Sequence, residues 1–403
     1  QQEGFRYHAR DLAILRGQIE QCPVLLGSAT PALETLVHAQ SGKYHHLKLT
    51  KRAGDARPPQ LHLVNICRQE LIEGFSGFLL DKMRQHLDQG HQVLLFLNRR
   101  GYAPLLLCHS CGATLDCPRC DAHTTYHRAF NELRCHHCGY HTSPPHHCPH
   151  CTEGQLRPLG LGTQKIETTL QGYFPDAPLI RIDRDSMSRK HALPEALTAI
   201  AQGDYRIIIG TQMLAKGHDF PNITLVGMID VDQGLFSTDF RAQERLAQQI
   251  LQVSGRAGRG KIPGEVVIQT HQPEHPLLQS LLTDRYEQIS ATLLQERQET
   301  TWPPFSHLAL LRASAHKAGE VQQFLREACH YCHQINLAPL NILGPVAAPL
   351  ARKAGRYRFQ LLLRTSERKQ LHLLLKQLLP ALRKMKSGRK VRWSMDVDPV
   401  DLG

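Results

Sequence analysis

At 403 residues with 41% hydrophobic content, the chain is longer than one ordinary domain and carries enough apolar side chains for two or three cores. Lys plus Arg outnumber Asp plus Glu by 48 to 36, a formal charge of +12 that favours a polyanionic partner, nucleic acid first. No apolar run is long enough to cross a bilayer, and the start QQEGFRYHARDL has no basic segment leading into an apolar core. Membrane and secretory readings fall away, and a cytoplasmic location is expected. The chain has no initiator Met and opens on a polar, charged, helix-like run, Gln1 to Gly17, with no strand before it, so it reads as a fragment that starts inside a domain.

In chain order, CPVLLG at 22–27 is a short apolar run ending on glycine, as a buried parallel strand does, and a helix is expected from Pro31 to His38. From Phe75 the expected order is helix 77–89, strand 93–97, a Cys/His-rich insert, helix 163–173, strand 179–183, helix 193–202 and strand 206–210. Strand 224–230, helix 239–253 and strand 264–270 complete that unit. Near-continuous apolar strands such as VLLFL and RIIIG, alternating with helices, imply a doubly wound parallel sheet covered on both faces. A long helical stretch then runs from Pro276 to about Gln298, broken by TWPPF. Strand 307–314, helix 318–335, strands 341–345 and 357–364, helix 367–382 and strand 390–397 follow, a β-α-β-β-α-β order that suggests a small α+β split-βαβ domain.

Eight of the 12 cysteines form four CxxC pairs, Cys108/Cys111, Cys117/Cys120, Cys135/Cys138 and Cys148/Cys151. Each pair offers two thiolates from one tight turn, so four pairs make two closed tetrahedral Zn²⁺ sites in a reducing compartment. Spacing alone leaves the pairing open, although Cys117, Cys120, Cys135 and Cys138 enclose a hairpin-like segment at 121–134, as in a zinc ribbon, leaving Cys108, Cys111, Cys148 and Cys151 for an outer site. Thiolates outcompete imidazoles here, so His109, His136, His137 and His147 are expected to face solvent or nucleic acid. A Cys₄ site has no open position, which makes these zinc ions structural. Too little aliphatic content remains for the insert to hold itself together without metal.

QVSGRAGR, 252–259, follows an amphipathic helix and sets Arg256 and Arg259 on a glycine turn expected beside the carboxyl or loop edge of the sheet. Planar, permanently charged guanidinium groups suit phosphate. Upstream, GTQMLAKGHDF places Gly210 and Thr211 at a strand end, with Lys216, Gly217 and Asp219 in the following loop, where amides, a hydroxyl and a lysine can meet a nucleic-acid phosphate. In order, GSAT, LLFLNRRG, GTQMLAKGHDF and QVSGRAGR resemble motifs three to six of superfamily-two helicases. Because the paired-CxxC insert sits directly after NRRGYAP, the chain most resembles the PriA (primosomal protein N′) family of replication-restart DNA helicases, over essentially its whole length.

That resemblance implies a RecA-like lobe with an inserted two-zinc module. Residues 1–48 would end helicase lobe 1, 49–107 and 152–272 form lobe 2, 108–151 the zinc insert, and 273–403 the C-terminal α+β domain. It implies that Ser28 and Thr30 couple nucleotide state to DNA, that Arg256 and Arg259 are the arginine-finger pair, and that Gln252, Gly217 and Asp219 serve the nucleotide. Arg99, Thr211 and Lys216 would touch the translocating strand. GFRYHARD resembles an aromatic-rich loop in which Phe5, Arg6 and Tyr7 sense DNA, with packing at a helix start as the plainer alternative. The implied activity is 3′-to-5′ unwinding at stalled or branched forks and the start of primosome assembly. Forked or single-stranded DNA, single-stranded DNA-binding protein and primosome proteins are the implied partners. No G-x4-G-K-[ST] and no DExH segment is present, and GRAGRGKI has Ile262 where a Mg²⁺-binding hydroxyl must stand, so this chain by itself is expected not to hydrolyse ATP. The ATP and Mg²⁺ site needs the rest of lobe 1. The competing reading is a non-catalytic, zinc-containing DNA-binding scaffold that recruits replication proteins. In the C-terminal domain, Arg352, Lys353, Arg356 and Arg358, then Arg383, Lys384, Lys386, Arg389 and Lys390, form basic clusters able to contact phosphates. Trp302 and Phe305 mark an interdomain wedge.

Overall fold

A parallel strand buried on both faces needs apolar side chains at every position, and three runs of this chain, QVLLFL, IIIG and ITLVGMI, are buried from end to end. The structure, a computed structural model, describes all residues except 1–6, 50–57, 98–104, 120–122, 128–130, 136–137, 153, 159–162, 184–185, 188, 190, 211–219, 221, 238, 259–261, 284, 336, 338 and 403, with the side chains of 163–164 also left out. Of the expected site residues, Phe5, Arg6, Arg99, Cys120, Thr211, Lys216, Gly217, Asp219 and Arg259 lie outside the described residues.

The chain begins with α1 (Ala9–Ile19) and α2 (Leu33–Gln40). The intervening run 22–27, expected as a buried strand, is not one: it takes no place in any sheet among the described residues, and Leu25 is 87% exposed. An apolar run becomes a strand only when another strand takes up its N–H and C=O groups. Then come β1 (Gln60–Asn65), α3 (Gly77–Asp88) and β2 (Gln92–Leu97). Helix α3 starts where Ser76 Oγ accepts the Leu79 N–H at 3.3 Å. The Cys-rich module carries β3 (Leu106–Cys108), β4 (Thr125–His127), β5 (Glu132–Arg134), β6 (His141–Thr142) and β7 (Leu156–Pro158). After it follow α4 (Thr163–Tyr173), β8 (Leu179–Ile182), α5 (Ala192–Gln202), β9 (Ile207–Gly210), β10 (Ile223–Ile229), α6 (Asp232–Leu235), α7 (Ala242–Ser254), β11 (Glu265–Thr270), α8 (Pro276–Thr283) and α9 (Tyr286–Glu299). The last domain is β12 (His307–Ala315), α10 (Ala318–Ile335), β13 (Leu340–Lys353), β14 (Arg356–Thr365), α11 (Arg368–Lys384) and β15 (Arg392–Val397).

Six strands form one wholly parallel sheet in the order β1-β11-β10-β2-β9-β8. Alternation divides its side chains between two cores. Val93, Leu95 and Leu97 of β2 face Leu79, Leu80 and Met83 of α3 and Ile166 and Leu170 of α4, whereas Leu94 and Phe96 face the helices of the other side, α5, α7, α8 and α9. Leu33 and Leu36 of α2 join that second core. Burying a leucine contributes about 1.5–3 kcal/mol, which ties the SAT segment to this sheet rather than leaving it loose.

The C-terminal domain is an antiparallel sheet, β13-β14-β12-β15, in the β-α-β-β-α-β order expected. Its Ala309, Leu311 and Ala313 face α10 and α11, while Leu308 and Leu310 face the other way, onto Phe240 and Trp302. The wedge residue Trp302 stacks on Phe240 with ring centroids 4.9 Å apart and 8° between planes.

Candidate functional site

Four of the cysteine sulfurs, those of Cys108, Cys111, Cys148 and Cys151, lie within 4.8 Å of one another, and so do those of Cys117, Cys135 and Cys138. The Sγ–Sγ separations are 3.6 Å for Cys108–Cys151 and 3.7 Å for both Cys111–Cys148 and Cys117–Cys138. A tetrahedron with Zn–S bonds of about 2.3 Å has edges of about 3.8 Å, so both clusters fit structural zinc. Backbone N–H groups point at the ligands as they do in zinc knuckles: Arg119 N to Cys117 Sγ and His150 N to Cys148 Sγ, both at 3.4 Å. Burial pushes the Cys111 thiol up to about 12, whereas Cys151, against its own desolvation, is drawn down to about 7 by the hydrogen bond with Cys108. Thiols so close share protons, a competition that a divalent cation ends by taking thiolates. The three-leucine core of the module, Leu106, Leu115 and Leu133, is too small to replace that cation.

Gly154 closes the outer cluster. A Cβ there would lie 2.2 Å from Cys108 Sγ and 2.8 Å from Cys151 Sγ. Gly154→Ala is therefore expected to lower the zinc content from about two ions per chain to about one. Metal analysis of the purified variant checks this, and retention of both ions would show that the cluster can widen.

The outer knuckle is anchored to the sheet by histidine. His109, expected to face solvent or nucleic acid, is instead half-buried: its Nδ1 lies 2.9 Å from His271 Nε2 and its Nε2 2.9 Å from the Gln69 carbonyl. His271 Nδ1 in turn lies 2.7 Å from Asp232 Oδ2, and Asp232 also accepts from Thr270 Oγ1 at 2.5 Å and His271 N at 3.1 Å. Burial lowers the His109 pKa. Gln272 Nε2 donates to the Gly112 carbonyl at 2.6 Å, and Arg68 donates to His109 O and Ser110 O. Residues 66–69 and 271–272 follow the ends of β1 and β11, so the zinc module stands on the carboxyl edge of the sheet. Sequence held no sign of this anchor, because Asp232 and His271 are 39 positions apart in no motif. His147 is exposed, as expected.

The arginine turn occupies the opposite edge. It was expected at the carboxyl or loop edge; instead Gly258 N donates to the Ile223 carbonyl at 3.0 Å, where β10 begins, and packs so tightly on Gly264, just before β11, that a Cβ would meet Gly264 N at 2.3 Å. The cause is connectivity: α7 runs back along the sheet and returns the chain to the edge where parallel strands start. Arg256 is only 7% exposed, so its side chain is not part of a solvated surface.

Against α7 lies the SAT loop. Glu244, Gln248 and Gln252, four residues apart, share one face of the helix. Gln252 Nε2 donates to Thr30 Oγ1 at 2.9 Å, Gln248 Nε2 to Thr30 O at 3.3 Å, and the Leu33 N–H to Glu244 Oε1 at 3.0 Å. The Tyr286 hydroxyl adds a bond to Pro31 O at 2.8 Å, and burial raises its pKa. Ser28 Oγ accepts the Thr30 N–H at 3.1 Å. Two separate sequence motifs, SAT and QVSGRAGR, are thus joined side chain to side chain. Tyr7, by contrast, is 57% exposed. Among the basic clusters, Arg358 turns inward, its Nη1 3.4 Å from Leu350 O, and burial lowers its pKa. Arg352, Lys353 and Arg356 sit at the β13–β14 hairpin tip, Arg352 over the Tyr357 ring.

A six-stranded parallel sheet, a paired-cysteine module and an antiparallel C-terminal domain together make a lobe of the helicase C-terminal type with a Cys-rich insertion. Family models agree segment by segment: "Helicase conserved C-terminal domain" matches 165–261, "PriA DNA helicase Cys-rich region (CRR) domain" 117–142 and "Primosomal protein N C-terminal domain" 298–400. Two relatives named "Replication restart protein PriA" match the chain nearly end to end. The Haemophilus influenzae protein is 48% identical, over 100% of this chain and 55% of its own length; the Bacillus subtilis protein is 40% identical, over 99% and 50%. The chain belongs to the PriA replication restart family, as its C-terminal region, and spans about half the length of the curated relatives it matches. Among solved structures, the S. cerevisiae Dbp5 complex with RNA and ADP BeF3 matches 71% of this chain and 58% of its own, at 12% identity and a TM-score of 0.36.

Proposed function

We propose that in the intact protein this chain supplies the end of the first lobe, the second lobe with its zinc insert and the C-terminal domain of an ATP-driven, 3′-to-5′ DNA helicase that acts at stalled or branched replication forks and starts primosome assembly. The observation that carries the motor is the 2.9 Å bond from Gln252 to Thr30: it holds the SAT loop against the helix that ends in the arginine turn. Loop, helix and turn then move as one body when ATP draws the lobes together, Arg256 and Arg259 completing the nucleotide site across the cleft with Gln252, Gly217 and Asp219. Arg99, Thr211 and Lys216, with Phe5, Arg6 and Tyr7, serve the single strand. Two Zn²⁺ ions hold the module, ATP and Mg²⁺ bind with the remainder of lobe 1, and the protein works in the cytoplasm. The basic C-terminal clusters suit branched DNA and the acidic tail of single-stranded DNA-binding protein. The names of the relatives support replication restart as the setting.

The test is ATP hydrolysis by the intact protein without DNA, and with single strands, linear duplex and a forked duplex. Stimulation is expected with DNA and greatest with the fork. No hydrolysis under any of these conditions would leave a zinc-stapled DNA-binding scaffold instead.

A further inference from the structure

Helix α7 faces the SAT loop on one side and reaches the C-terminal domain on another, through charges that the nucleotide site does not need. Glu244, 4% exposed, accepts the Leu33 N–H with one oxygen and Arg297 Nη2 with the other at 2.5 Å. Arg297, 5% exposed, lies on α9, and its Nη1 donates to the Pro303 carbonyl at 3.1 Å and stands 3.9 Å from Glu34 Oε1 on α2. Glu34 also pairs with Arg241 Nη2 at 2.7 Å, and burial lowers the Arg241 pKa. The guanidinium groups of Arg241 and Arg297 lie 4.5 and 5.1 Å from the centre of the Phe240 ring, whose partner is Trp302. Arg364 of β14 sits 5.1 Å over Trp302 and donates to Thr300 O at 3.2 Å. A second strap runs from Arg245 of α7 to the Val400 carbonyl beyond β15.

A buried carboxylate and a half-buried one, Glu244 and Glu34, thus meet a buried guanidinium and a half-buried one, Arg297 and Arg241, where the SAT segment, the motif helix and the C-terminal domain converge. Buried ion clusters are poor stabilisers relative to apolar packing of the same volume, so stability alone does not account for one here. They are directional, however, and an element held by charge in one register resists small shifts and passes on larger ones. We propose that the Glu34–Arg241–Glu244–Arg297 cluster is a coupling joint, with Arg297 as its positioning residue, carrying movement of the SAT loop and α7 through Phe240 and Trp302 into the C-terminal domain. The joint rests on the motor reading above: DNA held by the C-terminal domain sets the position of α7, and through it the rate of hydrolysis.

The experiment uses the intact protein and the double variant Glu244→Gln/Arg297→Met, which removes one carboxylate and one guanidinium together and keeps the acceptor for the Leu33 N–H. In it, stimulation of hydrolysis by forked DNA is expected to fall by about 5-fold or more, while DNA-independent turnover and melting temperature stay near wild type. Hydrogen exchange over 300–305, which is expected to change in the wild type on adding a non-hydrolysable ATP analogue, should no longer respond. Trp302→Leu breaks the same path outside the ion cluster and serves if the double variant does not fold. Its expected result is the same. Normal stimulation and normal exchange response in a folded variant would overturn the joint and leave the motor reading intact; a wild type that hydrolyses nothing with any DNA would defeat both.

Discussion

Removing zinc from the intact protein is expected to unfold the module between Cys108 and Cys151 and leave the six-stranded sheet standing. Three buried leucines are too small a core to order the module unaided. In so small a unit the free energy of binding structural zinc is the free energy of folding, so the metal decides whether the module is ordered. The sheet has no such dependence, since its strands and both of its cores lie outside 108–151. When the module goes, His271 keeps its bond to Asp232 and loses only His109. Hydrogen exchange before and after chelation distinguishes the regions: protection should vanish across the module and persist in β2, β9 and β10. Loss of protection in those three strands at the same chelator concentration would show that the module is part of the motor core.

The second large effect concerns the arginine turn. With an arginine finger worth about 10³- to 10⁵-fold in turnover, Arg259→Ala should bring the DNA-stimulated hydrolysis of the intact protein close to background. Arg259→Lys should recover little of it, because an ammonium keeps the charge but lacks the planar fork. Arg256 is buried, so Arg256→Ala should lower the melting temperature as well as the rate. Hydrolysis within about 10-fold of wild type in Arg259→Ala would remove that residue from the nucleotide site.

Much of this architecture was legible because its determinants are local. Strands β2, β9 and β10 are continuous apolar runs, and the CxxC pairs announce their ligands by spacing. Strand β1 was missed because QLHLVN sits at the sheet edge, with both end residues exposed and a mixed pattern that looks like loop. The run 22–27 failed in the opposite sense, being apolar enough for a strand but pairing with no strand among the described residues. Contacts between distant segments were invisible in principle: nothing in a sequence says that His109 meets His271, or that Glu244 and Arg297 share a buried bond across 53 positions. The face Glu244–Gln248–Gln252 could have been drawn on a helical wheel, yet only the fold reveals that it looks at Thr30 and Leu33. The edge assigned to the arginine turn was wrong for a related reason, since it depends on the direction in which α7 travels.

The neck of the zinc module has a consequence of its own. Strands β3 and β7 pair antiparallel, Leu106 against Pro158 and Cys108 against Leu156, so the Cys-rich module begins and ends on neighbouring strands. Paired strands lie about 4.8 Å apart, a gap a short turn can bridge. The parallel sheet is therefore complete on either side of a doorway, and a lineage could exchange, enlarge or shed whatever stands beyond that doorway without re-threading a single strand of the engine behind it.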